Sequence, residues 1–120
     1  MHREALEQYL GAEAALEVYE SARVILSSRL CEVMDRLLRD LRSNAAAAAL
    51  KLEQWEVAVT ASTAVLADEP THAKALYRRA SAYLGWRRDA NDVTAATKDL
   101  QVLLKAQPSN AAARALLDGI

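Results

Sequence analysis

An internal repeat with a period of 34 residues is the feature that most constrains the fold of this chain. Small and apolar residues recur at this offset, and after a four-residue insertion around 87–91 the register resumes. The matched pairs are Ala46 and Ala80, Leu50 and Leu84, Ala58 and Ala96, Leu66 and Leu104, and Pro70 and Pro108. A period of this length corresponds to one supersecondary unit, so we expect a stack of similar units rather than one irregular core.

The composition indicates that the repeated unit is helical. The 120 residues, a length typical of one domain, include 26 Ala against 3 Gly and 2 Pro. Ala is the best helix former, whereas Gly and Pro interrupt helices. Phe is absent and aromatic residues make up only 5%, so the apolar share of 52% rests on Ala and Leu. This composition excludes an all-β sandwich or a collagen-like chain and predicts an all-α fold.

The hydrophobic periodicity divides the chain into helices. The clearest segment, residues 30–41, has apolar side chains at i, i+3, i+4, i+7, i+8 and i+11, which is typical of an amphipathic helix. We expect a helix break near Gly11, a helix end before Gly85 and an N-cap at Asp92. The predicted helices span residues 2–10, 12–28, 30–51, 54–67, 72–84, 92–106 and 110–118.

The charge and cysteine content narrow the possible partners. The 15 Lys and Arg nearly cancel the 16 Asp and Glu, so the net charge of −1 gives no general attraction to nucleic acid or acidic membranes. We expect Arg87 and Arg88 to lie in a solvated turn. No apolar run is long enough to span a membrane, and no signal peptide is evident. The single Cys31, expected to be a buried inert thiol, fits a reducing compartment, so we expect a cytoplasmic protein.

Residue types that support catalysis are scarce. His2 and His72 are the only histidines, and neither lies near a plausible nucleophile in the sequence. There is no Gly-rich phosphate-binding loop and no cysteine cluster for a metal. We therefore expect no enzymatic activity, no metal and no cofactor.

The repeat resembles the tetratricopeptide repeat. The period of 34 residues, the small residues where paired helices must touch, and the prolines that close each unit all match this family. The resemblance implies an all-α, antiparallel helical-hairpin solenoid of about two and a half repeats plus a capping helix. One domain would cover residues 1–120, and Ser62 departs from the family pattern by replacing the usual aromatic residue. The expected units are a partial first repeat over 1–28, a second repeat with an extended first helix over 29–70, a third repeat over 71–108, and a capping helix over 109–120.

Four polar residues on the first helices of the repeats form the candidate peptide-binding site. Lys74 and Arg78 are i, i+4 neighbours on one helix, and Asn44 and Lys51 lie seven residues apart on another. Two cations at this spacing repel each other, which favours a bound anion. The arrangement is similar to the carboxylate clamp of co-chaperone domains with tetratricopeptide repeats, and the segment K-A-L-Y-R-R-A most resembles the large immunophilins. The resemblance implies that the groove binds the acidic C-terminus of a heat-shock chaperone, with Asn44 donating to the terminal carboxylate and Lys74 and Arg78 binding a side-chain carboxylate.

One half of that clamp has no counterpart here. The family places a Lys and an Asn on the first helix of the first repeat, where this chain has Ala5, Leu6 and Glu7. Two alternatives therefore stay open: a scaffold with a degenerate clamp that binds another helix or itself, or the repeat-containing fragment of a peptidyl-prolyl isomerase. Because Leu6, Leu10 and Leu16 have no obvious intramolecular cover, we expect a homodimer formed through the N-terminal helices.

Overall fold

The computed structural model describes residues 2–23 and 27–120, and in these two segments it contains helices and no strand. The predicted all-α fold is therefore confirmed. The helices are α1 (His2–Ala22), α2 (Ser28–Lys51), α3 (Trp55–Asp68), α4 (Ala73–Trp86), α5 (Ala90–Ala106) and α6 (Ala111–Asp118). The predicted part of a helix over residues 24–26 lies outside the described residues.

Each helix packs against the next one along the chain, and α2 also contacts α4. Side-chain contacts give the direction: Tyr19 and Glu13 of α1 contact Cys31 and Arg42 of α2 in reverse order, and Arg39 of α2 pairs with Glu69 just after α3. Neighbouring helices are thus antiparallel hairpins, as the repeat predicts. Because α2 and α4 are both first helices of a hairpin, they lie side by side with their N-termini toward the same end.

The core is built differently in the two halves of the chain. Around α4 and α5 it contains large side chains, among them the fully buried Leu76, Leu100 and Leu103. Two further clusters, formed by α1, α2 and α3 with Ala82 of α4, have only alanines as their buried members: Ala5, Ala49, Ala58 and Ala82, and Ala45, Ala46 and Ala61. Small side chains let the helix axes approach closely, which is the role predicted for them. The apolar contact area gained per residue is smaller there than in the leucine-rich half.

Two largely buried ion pairs join neighbouring helices, one in each half of the chain. The Arg42 guanidinium of α2, only 8% exposed, donates to both carboxylate oxygens of Glu13 at 2.8 and 3.2 Å. Arg79 of α4 donates in the same bidentate way to the buried Asp99 of α5, at 2.8 and 2.7 Å. Planar two-point contacts of this kind fix the relative position of the two helices they join.

The helix break predicted near Gly11 does not occur, because α1 is continuous from His2 to Ala22. Gly11 is exposed and has no heavy atom within 4 Å of the position its Cβ would take. A helix-interior glycine costs about 1 kcal/mol, which is less than the packing of one helical face contributes. That face includes the buried Ala12 and Tyr19, whose hydroxyl donates to the Cys31 carbonyl at 3.1 Å.

Gly85 does not end α4 as predicted. The helix continues to Trp86, and Arg87 terminates it in the left-handed conformation, with φ at 41°. A Cβ on Gly85 would lie 2.6 Å from the indole ring of Trp55. The glycine is therefore required for the close approach of Trp55 to α4 and not for stopping the helix.

The predicted N-cap of α5 is also corrected. Asp89, not Asp92, is the N-cap, and its carboxylate accepts from the Asn91 backbone N–H at 2.8 Å. Asp92 is 4% exposed and accepts from both the backbone N–H and the guanidinium of Arg88. Arg87 and Arg88 lie in the exposed connection between α4 and α5, as predicted, and Arg88 also lies over the Trp86 ring, 3.5 Å from its centroid.

The amphipathic pattern of α2 predicts a core-facing stripe, but most of this stripe faces outward. Leu38 is 3% exposed, whereas Leu30, Val33, Leu37 and Leu41 are between 40% and 51% exposed. Cys31 is half-buried, not buried as expected. None of the described helices is both long and apolar enough to cross a membrane.

Candidate ligand-binding pocket

A pocket of about 620 Å³ lies between α2, α4 and the start of α6. It is lined by Ala47, Leu50, Lys51, Ala73, Lys74, Tyr77, Arg78, Gln107, Asn110 and Ala112. α2 and α4 are the first helices of two successive hairpins, and α6 follows the second of these hairpins. Stacking of the hairpins therefore creates the pocket, since no single hairpin contains enough of its wall.

Three of the four residues predicted for the binding site line this pocket together. Lys51 comes from the end of α2, and Lys74 and Arg78 come from the first half of α4. Asn44, the fourth, is exposed and is not part of the lining. Its assignment to a terminal carboxylate stays a prediction, because in this arrangement it lies outside the pocket wall.

The lining is positively charged although the whole chain is nearly neutral. It contains three cationic side chains and no Asp or Glu, in a protein whose formal net charge is −1. Lys51 and Lys74 are exposed, and among the described residues neither has an ion-pair or hydrogen-bond partner. Uncompensated cations that face one concave surface create a local potential that attracts anions.

Arg78 differs from the two lysines because its guanidinium is hydrogen-bonded to a residue of α2. One terminal nitrogen, Nη1, donates to the carbonyl oxygen of Ser43 at 2.8 Å and to its hydroxyl oxygen. Burial lowers the pKa of this guanidinium below its ordinary value, but arginine in proteins stays protonated at neutral pH. Arg78 therefore links α4 to α2 and is half-buried. Its Nε and Nη2 donors have no partner among the described residues.

Two helix N-termini add to the positive potential. Lys74 lies in the first turn of α4, whose N-cap is His72, with Nδ1 accepting from the Ala75 N–H at 3.1 Å. Asn110 caps α6 by accepting from the Ala113 N–H at 3.0 Å, and its amide donates to Gln107. The N-terminal end of a helix carries a partial positive charge that favours a nearby anion.

Asn110 and Gln107 also line this pocket, and neither was predicted as a site residue. The segment Pro108-Ser109-Asn110 before three alanines is an N-cap signal that sequence reasoning can find. That this cap lies beside Lys74 depends on how α6 docks, which the segment itself does not encode.

The remainder of the pocket wall is apolar. Tyr77 and Leu50 form most of it, together with three alanines. Apolar walls combined with a few converging donors are typical of sites that bind a small ligand or a short peptide segment. Chemically, the pocket is suited to a ligand that has a carboxylate beside an apolar side chain.

In the described part of the chain no three His, Cys, Asp or Glu side chains are grouped so that they could hold a metal ion. No protein-family model matches the chain.

Proposed function

We propose that this protein is a non-catalytic adaptor that binds the acidic C-terminal segment of a partner protein in the pocket between α2, α4 and α6. The resemblance to co-chaperones with tetratricopeptide repeats makes the C-terminus of a heat-shock chaperone the partner we propose. The chain would then belong to the cytoplasmic proteins that connect chaperones to other components.

The observation that supports this proposal is the convergence of Lys51, Lys74 and Arg78 on one wall that has no carboxylate. Each of the three has N–H donors that no described residue occupies. A carboxylate bound there gains charge-assisted hydrogen bonds, which are about twice as strong as neutral ones. A peptide that carries both a terminal and a side-chain carboxylate would occupy more than one of these cations at once.

The apolar part of the pocket supports a peptide over a free inorganic anion. Tyr77 and Leu50 offer a surface on which an aliphatic side chain can be buried between two acidic residues. Burial of such a side chain contributes about 1.5–3 kcal/mol, which an inorganic anion cannot gain. Acidic chain ends that include an aliphatic residue are thus the proposed ligand class.

Fluorescence anisotropy with a labelled acidic decapeptide that ends in Glu-Glu-Val-Asp tests the proposal. Loss of one charge-assisted interaction costs about 1.5–3 kcal/mol, so Lys74→Ala is expected to weaken binding roughly 10- to 100-fold. Raising the salt concentration to about 0.5 M should weaken binding to the wild type more than to Lys74→Ala, because screening acts on the same interaction. Amidation of the peptide's C-terminus is expected to weaken binding as well.

The control for this experiment removes cationic side chains outside the pocket. Lys98 and Lys105 of α5 are exposed and do not line the pocket, so Lys98→Ala with Lys105→Ala changes the net charge without changing the site. Arg88 is unsuitable as a control because it pairs with the buried Asp92. The control should bind like the wild type. Equal losses in the control and in Lys74→Ala would mean that the attraction is diffuse, and the assignment of the pocket would be wrong.

A further inference from the structure

The first half of α2 has an apolar face that no other described element covers. Leu30, Met34, Leu37 and Leu41 follow the alternating spacing of four and three residues that forms the seam of a coiled coil. Leu30, Leu37 and Leu41 are 40–50% exposed, and Val33 beside them is 51% exposed. We refer to Leu30, Val33, Leu37 and Leu41 as the α2 stripe.

The α2 stripe begins where α2 extends past α3. α2 has 24 residues and α3 only 14, and Glu69, just after the end of α3, pairs with Arg39. The residues of α2 before Asp35 therefore extend past α3, whose last residue, Asp68, shares a cavity with Asp35, and Leu37 and Leu41 lie further along α2. α1 covers the opposite face of α2, where Tyr19 contacts Cys31 and Arg23 pairs with Asp35. Monomeric proteins rarely expose a contiguous apolar surface of this kind.

Three charged residues, Arg29, Arg36 and Asp40, border the stripe along one edge. By the helical period of about 3.6 residues, Arg36 and Asp40 lie on the same side of Leu37 and Leu41. Both are exposed, and neither has an ion-pair partner among the described residues. The opposite edge is formed by Met34 and Leu38, which are partly or fully covered by the rest of the molecule.

We propose that a second copy of this chain docks on the α2 stripe in an antiparallel, two-fold symmetric dimer. A two-fold axis perpendicular to α2 brings the Arg36–Asp40 edge of one copy against the same edge of the other. When the axis passes near residue 38, Arg36 lies opposite the second copy's Asp40, and the reverse pair forms at the same time. Leu37 then lies between the second copy's Leu37 and Leu41, and Leu41 lies between its Val33 and Leu37. A parallel pairing would instead bring this charged edge against the edge that α1 covers.

The small area of the α2 stripe limits the expected affinity of the dimer. Four half-exposed side chains on one helix form an interface below the roughly 1,200–2,000 Å² of stable complexes. We therefore expect a reversible dimer with a dissociation constant on the order of 10 µM. This interface is separate from the pocket, so peptide binding and dimerisation can be measured independently.

Sedimentation equilibrium of the full chain at increasing concentrations tests the proposal. We expect a monomer–dimer equilibrium that Leu37→Asp weakens at least about 100-fold, since an unpaired charge would be buried in the seam. Leu10→Asp is the matched control, because Leu10 is a leucine of similar exposure, 54%, on α1. It should leave the equilibrium unchanged. A strict monomer at about 200 µM, or a loss caused by Leu10→Asp instead, would overturn the proposal.

A charge-exchange experiment tests the antiparallel geometry. Arg36→Asp makes both facing positions, 36 and 40, acidic, and Asp40→Arg makes both basic, so each variant alone should dimerise more weakly than the wild type. An equimolar mixture of the two variants should recover dimerisation, because every facing pair in the mixed dimer is then of opposite charge. Circular dichroism checks that each variant stays helical. Failure of the mixture to associate more tightly than either variant alone would contradict the antiparallel arrangement.

Discussion

Ser62 is a buried polar residue without a compensating contact. Its side chain is fully buried in α3, and its hydroxyl makes no hydrogen bond to any described group. A buried hydroxyl in this situation loses its hydration and gains nothing in return. The structure gives the physical consequence, which is a local cost in stability.

Replacement of Ser62 by alanine is expected to raise the free energy of unfolding by about 1–2 kcal/mol, since it removes the unpaired hydroxyl and leaves a good helix former. Urea denaturation followed by circular dichroism gives this value. Ser81→Ala is the matched control: Ser81 also lies inside a helix but is half-buried, so its hydroxyl stays hydrated. A gain no larger than that of Ser81→Ala would mean that the Ser62 hydroxyl has a partner after all.

The protonation of Asp92 makes the stability of the fold depend on pH below neutrality. The hydrogen bonds from the Arg88 guanidinium hold the pKa of this carboxyl below its ordinary value, against the opposing effect of burial. A carboxyl with a lowered folded-state pKa stabilises the fold above its unfolded-state pKa, near about 4. That stabilisation is lost as the pH falls through the lowered folded-state pKa.

The thermal midpoint of the wild type should therefore fall more steeply below about pH 4 than that of Asp92→Asn, which cannot titrate there. Asp118→Asn removes an exposed carboxylate at the end of α6 and is the control. It should keep the acid dependence of the wild type. If the thermal midpoints of Asp92→Asn and the wild type fall in parallel with pH, the pKa of Asp92 is the same in the folded and unfolded states, and the prediction is wrong.

At the level of whole helices, the two internal glycines have opposite roles. Gly11 sits in the middle of α1 with open space around it, whereas Gly85 lies beneath the ring of Trp55. Gly11→Ala should raise the free energy of unfolding by about 1 kcal/mol through helix propensity alone. Gly85→Ala makes the same chemical change but forces Trp55 or α4 to move, so we expect it to lower stability by about 1–3 kcal/mol.

Thermal unfolding of the two variants decides this pair of predictions. Because the chemical change is identical, the difference between the variants measures the effect of the surroundings. A stabilised Gly85→Ala would mean that Trp55 does not pack on this glycine. A destabilised Gly11→Ala would mean that α1 bends at Gly11.

The helix positions after α2 were predictable because local signals agree with the packing. The predicted segments 54–67, 72–84 and 110–118 differ from the observed helices by at most two residues at either end. Errors occurred where a contact from another element decides. Asp89 and Asp92 are both suitable N-caps, and the choice between them follows from Arg88, which draws Asp92 into the core. Gly11 is tolerated because α1 is held by its packing on α2.

The candidate pocket was predictable to the extent that repeat register determines it. The repeat and the helical period bring Lys51, Lys74 and Arg78 to the same side of the stacked hairpins. Register does not indicate that Ser43 binds Arg78, or that the cap of α6 closes one side, because both depend on how neighbouring helices are offset and tilted. For the same reason the hydrophobic pattern of α2 did not reveal which of its leucines face outward.

The whole molecule has an uneven distribution of core packing, which has consequences for its dynamics. The fully buried leucines lie in α4 and α5, while the contacts of α1 with α2 rest on alanines, Tyr19 and the pair of Arg42 with Glu13. In stacked helical units each unit is stabilised mainly by its immediate neighbours. Local opening therefore costs less free energy at the α1 end than in the leucine-rich half.

Native-state hydrogen exchange at low protein concentration should reveal this gradient. We expect the slowest amide exchange in α4 and α5, and exchange at least about 10-fold faster in α1 and the first half of α2. Glu13→Gln removes the charge that pairs with the buried Arg42, so it should speed exchange in α1 while α5 stays unchanged. A second variant, Leu100→Ala, perturbs the leucine-rich half instead. It leaves a cavity there and should lower the free energy of global unfolding by about 2–5 kcal/mol. Equal acceleration of all helices by Glu13→Gln would mean that the chain opens as a single cooperative unit, and the gradient would not exist.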